Sequence, residues 1–298
     1  VHHSVIKVDV MQPIPYTNQN FYEIVWAARL EVFRQALEGG AKTPFDVMAN
    51  LCCLEQQFML AAESLPSTTG DGTSYLNGVV RLVPNPDSNQ QSPSTPLYSF
   101  NQPLTVVVQH CDDKVKSIVE LGAGYGRNLI ELRHHFQRPD LALIGAEYTQ
   151  SGRDAMEFFN ASFPDLTPIQ TAFTDHRLAS FPFIPGKDKV LVFSCHSLEQ
   201  VEKLPLDFFV NLAASAEDIT GVHIEPFGFQ AVPRRAWNHS HYDHNAFIRS
   251  KDYNLNMWTC LEHAVREQAI TITGVALNAS FAQPENPSSV VVWKKCTA

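Results

Sequence analysis

Val119-Glu120-Leu121-Gly122-Ala123-Gly124-Tyr125-Gly126-Arg127-Asn128 is the stretch on which the reading of this chain turns. Three glycines alternate directly after an apolar run, and a helical pattern follows with Leu129, Ile130 and Leu132 on its inner side. Glycine lacks a Cβ and tolerates a tight turn. Such a junction therefore lets backbone N–H groups and a helix N-terminus come close to a ligand. A ligand loop is expected between a strand, Ser117–Leu121, and a helix, Arg127–Phe136.

Outward from this loop, short β-rich runs alternate with helical ones. Leu141–Glu147, Pro168–Phe173, Lys189–Phe193 and Thr220–Glu225 read as strands. Ser151–Phe163 reads as a helix started by a capping box of Ser151 and Asp154, with Met156, Phe159 and Phe163 on one face. Pro205–Ala214 and Asn254–Gln268 are further helices, the latter with Leu255, Trp258, Leu261 and Val265 inward. Thr271–Leu277 and Val290–Trp293 close the chain as two strands with no helix between them. This alternation predicts an α/β fold with a mostly parallel sheet covered on both faces. Upstream, residues 17–64 read as two helices, separated at Gly39-Gly40 and ending near Leu65. Residues 66–104 are rich in Ser, Pro and Asn and read as a linker or loop, with a short strand at Gly78–Val83. The expected division is an N-terminal helical extension with a loop or lid, residues 1–113, and a ligand-binding domain, residues 114–298.

Composition narrows the function classes. Of 298 residues, 44% are hydrophobic, enough for a sizeable core. The 22 basic and 31 acidic residues leave a net charge of −9, which argues against a nucleic-acid surface or a polybasic membrane anchor. The longest apolar runs are strand-sized, short of the ~20 residues of a membrane span. Val1-His2-His3-Ser4 shows no signal-peptide core. Six cysteines without a CxxC pair are expected to be reduced thiols, and the sequons at Asn160, Asn238 and Asn278 to be fortuitous. A soluble cytoplasmic protein is expected.

A nicotinamide fingerprint, GxGxxG, would place its third glycine at 127. Position 127 is Arg, the third glycine stands at 126, and Glu120 lies inside the strand. The pattern E-x-G-x-G-x-G resembles motif I of class I S-adenosylmethionine (SAM)-dependent methyltransferases. The resemblance covers residues 114–298. It implies a Rossmann-like seven-stranded sheet with a C-terminal antiparallel strand pair, and SAM as cofactor with S-adenosylhomocysteine as product. By the same resemblance Glu120 lies near the cofactor's ammonium, and Gly122, Ala123, Gly124, Gly126 and Asn128 line its methionine part. Glu147, followed by Tyr148, accepts the ribose hydroxyls, a role that nicotinamide enzymes share. Asp175 meets the adenine, and His196 and Ser197 lie between cofactor and acceptor. The segments HSLEQ (196–200) and HIEP (223–226) are similar to those of sugar and natural-product O-methyltransferases.

Methyl transfer to a hydroxyl needs an aligned nucleophile and a proton acceptor. His223 and Glu225, two apart on one strand, share a sheet face. His223 is the expected general base with Glu225 as its orienter or as a substrate ligand, a structural His–Glu pair being the alternative; His196 is a further catalytic candidate. Trp26, Trp237, His239, His241, Tyr253 and Asn254 are expected around the acceptor. HSHYDH (239–244) matches a zinc-ligand pattern of metallo-β-lactamase-like hydrolases, but it stands late in the chain, and no metal is expected. The expected activity is methyl transfer to an oxygen of a small-molecule acceptor. N-methylation of a small molecule or peptide, a metallohydrolase and a non-catalytic SAM-binding partner are the rivals. A homodimer through the N-terminal helices is the expected assembly.

Overall fold

The computed structural model describes residues 14–15, 18–65, 75–84, 101–279 and 286–297, with side chains over 21–51, 101–279 and 286–297. The expectations for Val1–Ser4 and for the rest of the 66–104 loop up to residue 100 lie outside the described residues. In chain order the elements are β1 (Ile14–Pro15), α1 (Asn18–Glu38), α2 (Pro44–Gln57), β2 (Phe58–Leu65), β3 (Tyr75–Pro84), α3 (Leu104–His110), β4 (Ser117–Leu121) and α4 (Arg127–Phe136). They continue with β5 (Ala142–Glu147), α5 (Gln150–Ser162), β6 (Ile169–Phe173), β7 (Lys189–Cys195), α6 (Phe208–Ala214), β8 (Asp218–Glu225) and α7 (Gly228–Ala231). Last come α8 (His239–Ser250), α9 (Met257–Arg266), β9 (Ile270–Ala276) and β10 (Ser289–Lys295). By their contacts these form two units. One holds residues 1–100 with Gly124–Ile130 and Thr149–Pro168, the other Asn101–Ala123, Glu131–Tyr148 and Ile169–Ala298.

The larger unit is built on the expected seven-stranded sheet, in the order β6-β5-β4-β7-β8-β10-β9. The first five strands run parallel, and β10 is antiparallel to both β8 and β9. Burial on both faces accounts for the unbroken apolar run of Val190–Phe193 in β7. Trp293 of β10 is fully buried beside Phe209 and His223, and its indole lies where a Cβ at Gly221 would stand. That glycine permits a close approach across the sheet.

In the smaller unit α1 packs along α5 through Phe33 and Phe159, whose ring centroids are 6.3 Å apart. The capping box expected at Ser151 and Asp154 is not the one that forms. Thr149 is the N-cap, accepting from the Gly152 N–H at 3.2 Å. Glu23 of α1 accepts from the N–H groups of Gln150 and Ser151 at 2.9 and 2.8 Å, and Ser151 Oγ donates to the Glu23 carbonyl. A capping carboxylate can come from another helix, which local spacing does not disclose.

Two further expectations are corrected. Phe58–Leu65 is a strand rather than the end of a helix, pairing antiparallel with β3 from Phe58↔Pro84 to Leu65↔Tyr75. A short apolar run fits either period, and only the partner strand decides between them. Helix α9 starts at Met257, not Asn254, because Asn254 Oδ1 accepts from the N–H groups of Asn256 and Met257. Val265 is consequently 41% exposed, while Met257, Cys260, Leu261 and Ala264 face inward.

Candidate active site

Strand order reverses between β4 and β7, and open α/β sheets take ligands outside the carboxyl ends of strands at such a point. Gly122, Gly124 and Gly126 all have left-handed backbones, with φ of 74°, 56° and 84°. The N–H groups of Gly122 and Ala123 donate to the Ala146 carbonyl at 2.7 and 3.1 Å, which fastens the turn to β5. A Cβ at Gly122 would run into the Ser197 side chain, whose Oγ bonds His176 Nε2 at 2.8 Å. Burial pushes the His176 imidazole down to about 4. Within the smaller unit, a Cβ at Gly124 would stand 2.9 Å from the Trp26 ring, which stacks on Tyr22. Gly122 and Gly124 thus admit neighbouring side chains as well as a tight turn.

Glu120 inside β4 and Glu147 at the end of β5 are both buried. Asn128 is half-buried in the first turn of α4. The Tyr148 ring lies 5.8 Å from that of Phe173 and beneath the Arg177 guanidinium. Arg177 grips Asp175, with Nε–Oδ1 at 2.9 Å and Nη2–Oδ2 at 2.7 Å. Burial alone would raise the Asp175 carboxyl, but the hydrogen bonds and charge of Arg177 hold it below the usual range. Sequence reasoning missed Arg177, although its place two residues after Asp175 was visible.

The end of β7 carries a second cluster. His196 has a φ of 52°, a conformation costing on the order of 1–3 kcal/mol for a non-glycine. Its Nε2 is 2.6 Å from Ser288 Oγ and its Nδ1 is 3.3 Å from Glu199 Oε1. Burial opposes its charge, yet the hydrogen bond and charge of Glu199 raise the imidazole above its ordinary value. Glu225 holds the turn beyond it: Oε1 accepts from the N–H groups of Ser197 and Leu198 at 3.0 and 3.1 Å, and Oε2 from that of Glu199 at 3.2 Å. Burial, with Glu199 nearby, pushes Glu225 up to about 7. A small cleft of about 10 Å³, room for about one water, opens here, lined by Glu199, Glu225, Pro226, Phe227, Gln230, Asn254 and Met257.

His223 is placed differently from its expected role. It is 0% exposed, its Nδ1 bonds Ser194 Oγ at 2.9 Å, and its ring stacks on Trp293 at 6.0 Å. Burial pushes it down to about 3. The expected direct His223–Glu225 hydrogen bond does not form; each side chain bonds other partners, because Ser194 stands beside His223 on the neighbouring strand.

Of the expected acceptor contacts, Asn254 reaches the cleft; the others are not among its lining residues. Trp237 Nε1 donates to the Val232 carbonyl, and Tyr253 packs edge-on against Phe247. The HSHYDH segment forms the start of α8 instead of a pocket loop. Asn238 caps it together with His241, His239 is exposed and His244 is buried. His239 and His241, two apart on a helix, do not face each other. Among the described residues no group of three His, Cys, Asp or Glu is arranged to hold a metal ion, and no helix is long and apolar enough to cross a membrane. Ser288 and Asn286, which join the β7 cluster, come from the loop between β9 and β10; nothing in the sequence ties that loop to residue 196.

No protein-family model matches the chain, and a search of curated proteins finds no match. Among solved structures it is similar to the pyocyanin biosynthetic protein PhzM, with 12% identity and a TM-score of 0.45 over 66% of this chain and 55% of that one. The geranyl diphosphate C-methyltransferase from Streptomyces coelicolor A3(2) shows 10% identity and a TM-score of 0.45, over 66% and 78%. The mitomycin 7-O-methyltransferase MmcR shows 12% and 0.43, over 65% and 53%. The match thus spans about half the length of PhzM and of MmcR. The fold is Rossmann-like. Its strand order, β6-β5-β4-β7-β8-β10-β9, makes it so.

Proposed function

We propose that the protein is a SAM-dependent methyltransferase acting on an oxygen of a small-molecule acceptor. The observation that carries this reading is the left-handed glycine turn at the carboxyl end of β4, beside a buried carboxylate, Glu147, at the carboxyl end of β5. These residues fit the cofactor. A carboxylate's two oxygens can accept both ribose hydroxyls, and Gly122 and Ala123 with Tyr148 and Asp175 would follow the rest of the molecule. When bound, SAM supplies an electrophilic methyl group.

The chain's own contribution is alignment and a base. His196 takes the acceptor's hydroxyl proton at Nε2, where Ser288 Oγ now sits, and Glu199 accepts from Nδ1–H and fixes the tautomer. Glu225 holds the backbone that presents His196. His223 supports Ser194 from within the core and does not touch the acceptor. A cytoplasmic setting and natural-product chemistry belong to the same reading, on the sequence alone.

Calorimetric titration with SAM and with S-adenosylhomocysteine tests it. Micromolar binding of both is expected; no binding of either at high micromolar concentration would refute it.

A further inference from the structure

Four polar side chains from three separate segments meet beyond the end of β7. His244 stands on α8, Asn286 in the loop before β10, and His196 and Glu199 just after β7. His244 is the last histidine of HSHYDH, a segment with no part in the reading above. It is 5% exposed and packs edge-on against Phe229, with ring centroids 5.0 Å apart. Its Nε2 faces Asn286 Oδ1, and the two side chains are hydrogen-bonded. Asn286, 8% exposed, donates from Nδ2 to Glu199 Oε2 at 3.2 Å. Glu199, 5% exposed, turns its other oxygen, Oε1, to His196 Nδ1 at 3.3 Å and to Gln200 Nε2 at 3.1 Å.

The acceptors in this line dictate its donors. An ionised carboxylate only accepts, so Asn286 presents Nδ2 to Glu199 and Oδ1 to His244. An amide oxygen also only accepts, so His244 carries its proton on Nε2. His196 then carries one on Nδ1, which leaves its Nε2 as the basic nitrogen. A turned Asn286 amide would set its oxygen against Glu199 Oε2. Fully satisfied buried networks of this kind specify one arrangement.

We propose that His244 is a positioning residue: through Asn286 it holds the Glu199 carboxylate against His196 Nδ1 and so fixes the tautomer of His196. The inference rests on the methyltransferase reading above only in calling His196 the base. Without the His244 proton the Asn286 amide is free to turn, and Glu199 loses its hold at Oε2. Burial opposes the charge of His196 and the Glu199 contact favours it, so a loosened Glu199 lowers the pH at which His196 titrates. The other ionisable groups near the line are Glu225, facing His196, and His241, facing His244.

Nitrogen-15 NMR of the histidines in the full chain, with no cofactor added, tests this. His196→Ala and His244→Phe identify the two signals by their loss. At pH 7.5 the His244 imidazole is expected as the neutral Nε2–H form. The Nδ1–H form would overturn the proposal, and this measurement needs no folded variant beyond the assignment. His244→Phe keeps a ring against Phe229 but lacks the donor; it should lower the His196 midpoint by about half a pH unit or more. His244→Gln, whose amide N–H stands in for Nε2–H, should restore most of that shift. Thermal melts establish that each variant folds. An unchanged or raised His196 midpoint in folded His244→Phe would overturn the proposal, as would an equal drop in His244→Gln. Absence of SAM and S-adenosylhomocysteine binding would remove the methyltransferase reading and leave these titrations as they are.

Discussion

His196 and His223 stand at the ends of two adjacent parallel strands, yet they occupy opposite chemical environments. His223 is sealed between Phe209 and Trp293, bonded to Ser194, and held neutral by burial. His196 projects beyond its strand, is 27% exposed at its side chain, and leans on a carboxylate that favours its charged form. A base must both meet its substrate and hold a proton at working pH. Depth along the strand, not residue type, separates the imidazole that can do this from the one that cannot.

The largest expected effect tests the exposed side of this comparison. His196→Ala should lower turnover by about 10²–10⁴-fold, the usual worth of a positioned base, with SAM affinity nearly unchanged by calorimetry. Unaltered turnover would point to an acceptor that needs no base, such as an amine. His223→Ala tests the sealed side: it should cost about 2–4 kcal/mol of stability in denaturant melts, as buried large-to-small changes do, and leave SAM affinity unchanged. Loss of turnover at unchanged stability would instead make His223 a reacting group and erase the contrast.

The smallest effect, per pH unit, is in the acid profile. His176, His223 and His244 are held neutral when folded, down to about 4, 3 and 4, whereas an unfolded histidine takes up its proton near 6.5. Below pH 6.5 the unfolded chain therefore binds more protons than the folded one. The stability these groups contribute is complete above pH 6.5 and is lost as pH falls toward their folded values. Each contributes a slope of about 1.4 kcal/mol per pH unit in that window. Replacing His223 by Phe should remove one such slope, provided the variant folds; an unchanged acid profile would place the proton uptake elsewhere.

Much of the fold was legible because it is written locally. The glycine triplet, the βα alternation and the helix-free final strand pair are near-neighbour patterns, and the elements they mark are found in the sheet, whose strand order came from the structure. The ends of elements were less legible. Asn254 halts the start of α9, and Glu23 caps a helix more than a hundred residues later in the chain, because a cap requires only a nearby oxygen. The strand at Phe58–Leu65 was hidden by an apolar run that suits either period.

For the candidate site, the sequence by itself determined the chemical inventory: which residues follow each strand, where glycine frees the backbone, and which imidazoles and carboxylates are at hand. Only the tertiary structure decided how they act together. Ser197 and His176 come to rest on Gly122, Arg177 takes hold of Asp175, and Ser288 and Asn286 close on His196 and Glu199 from 92 and 87 residues away. The reason is physical. A spacing rule fixes which face of a strand a side chain leaves from, whereas burial and partner charge depend on chain segments that meet only when the sheet is assembled.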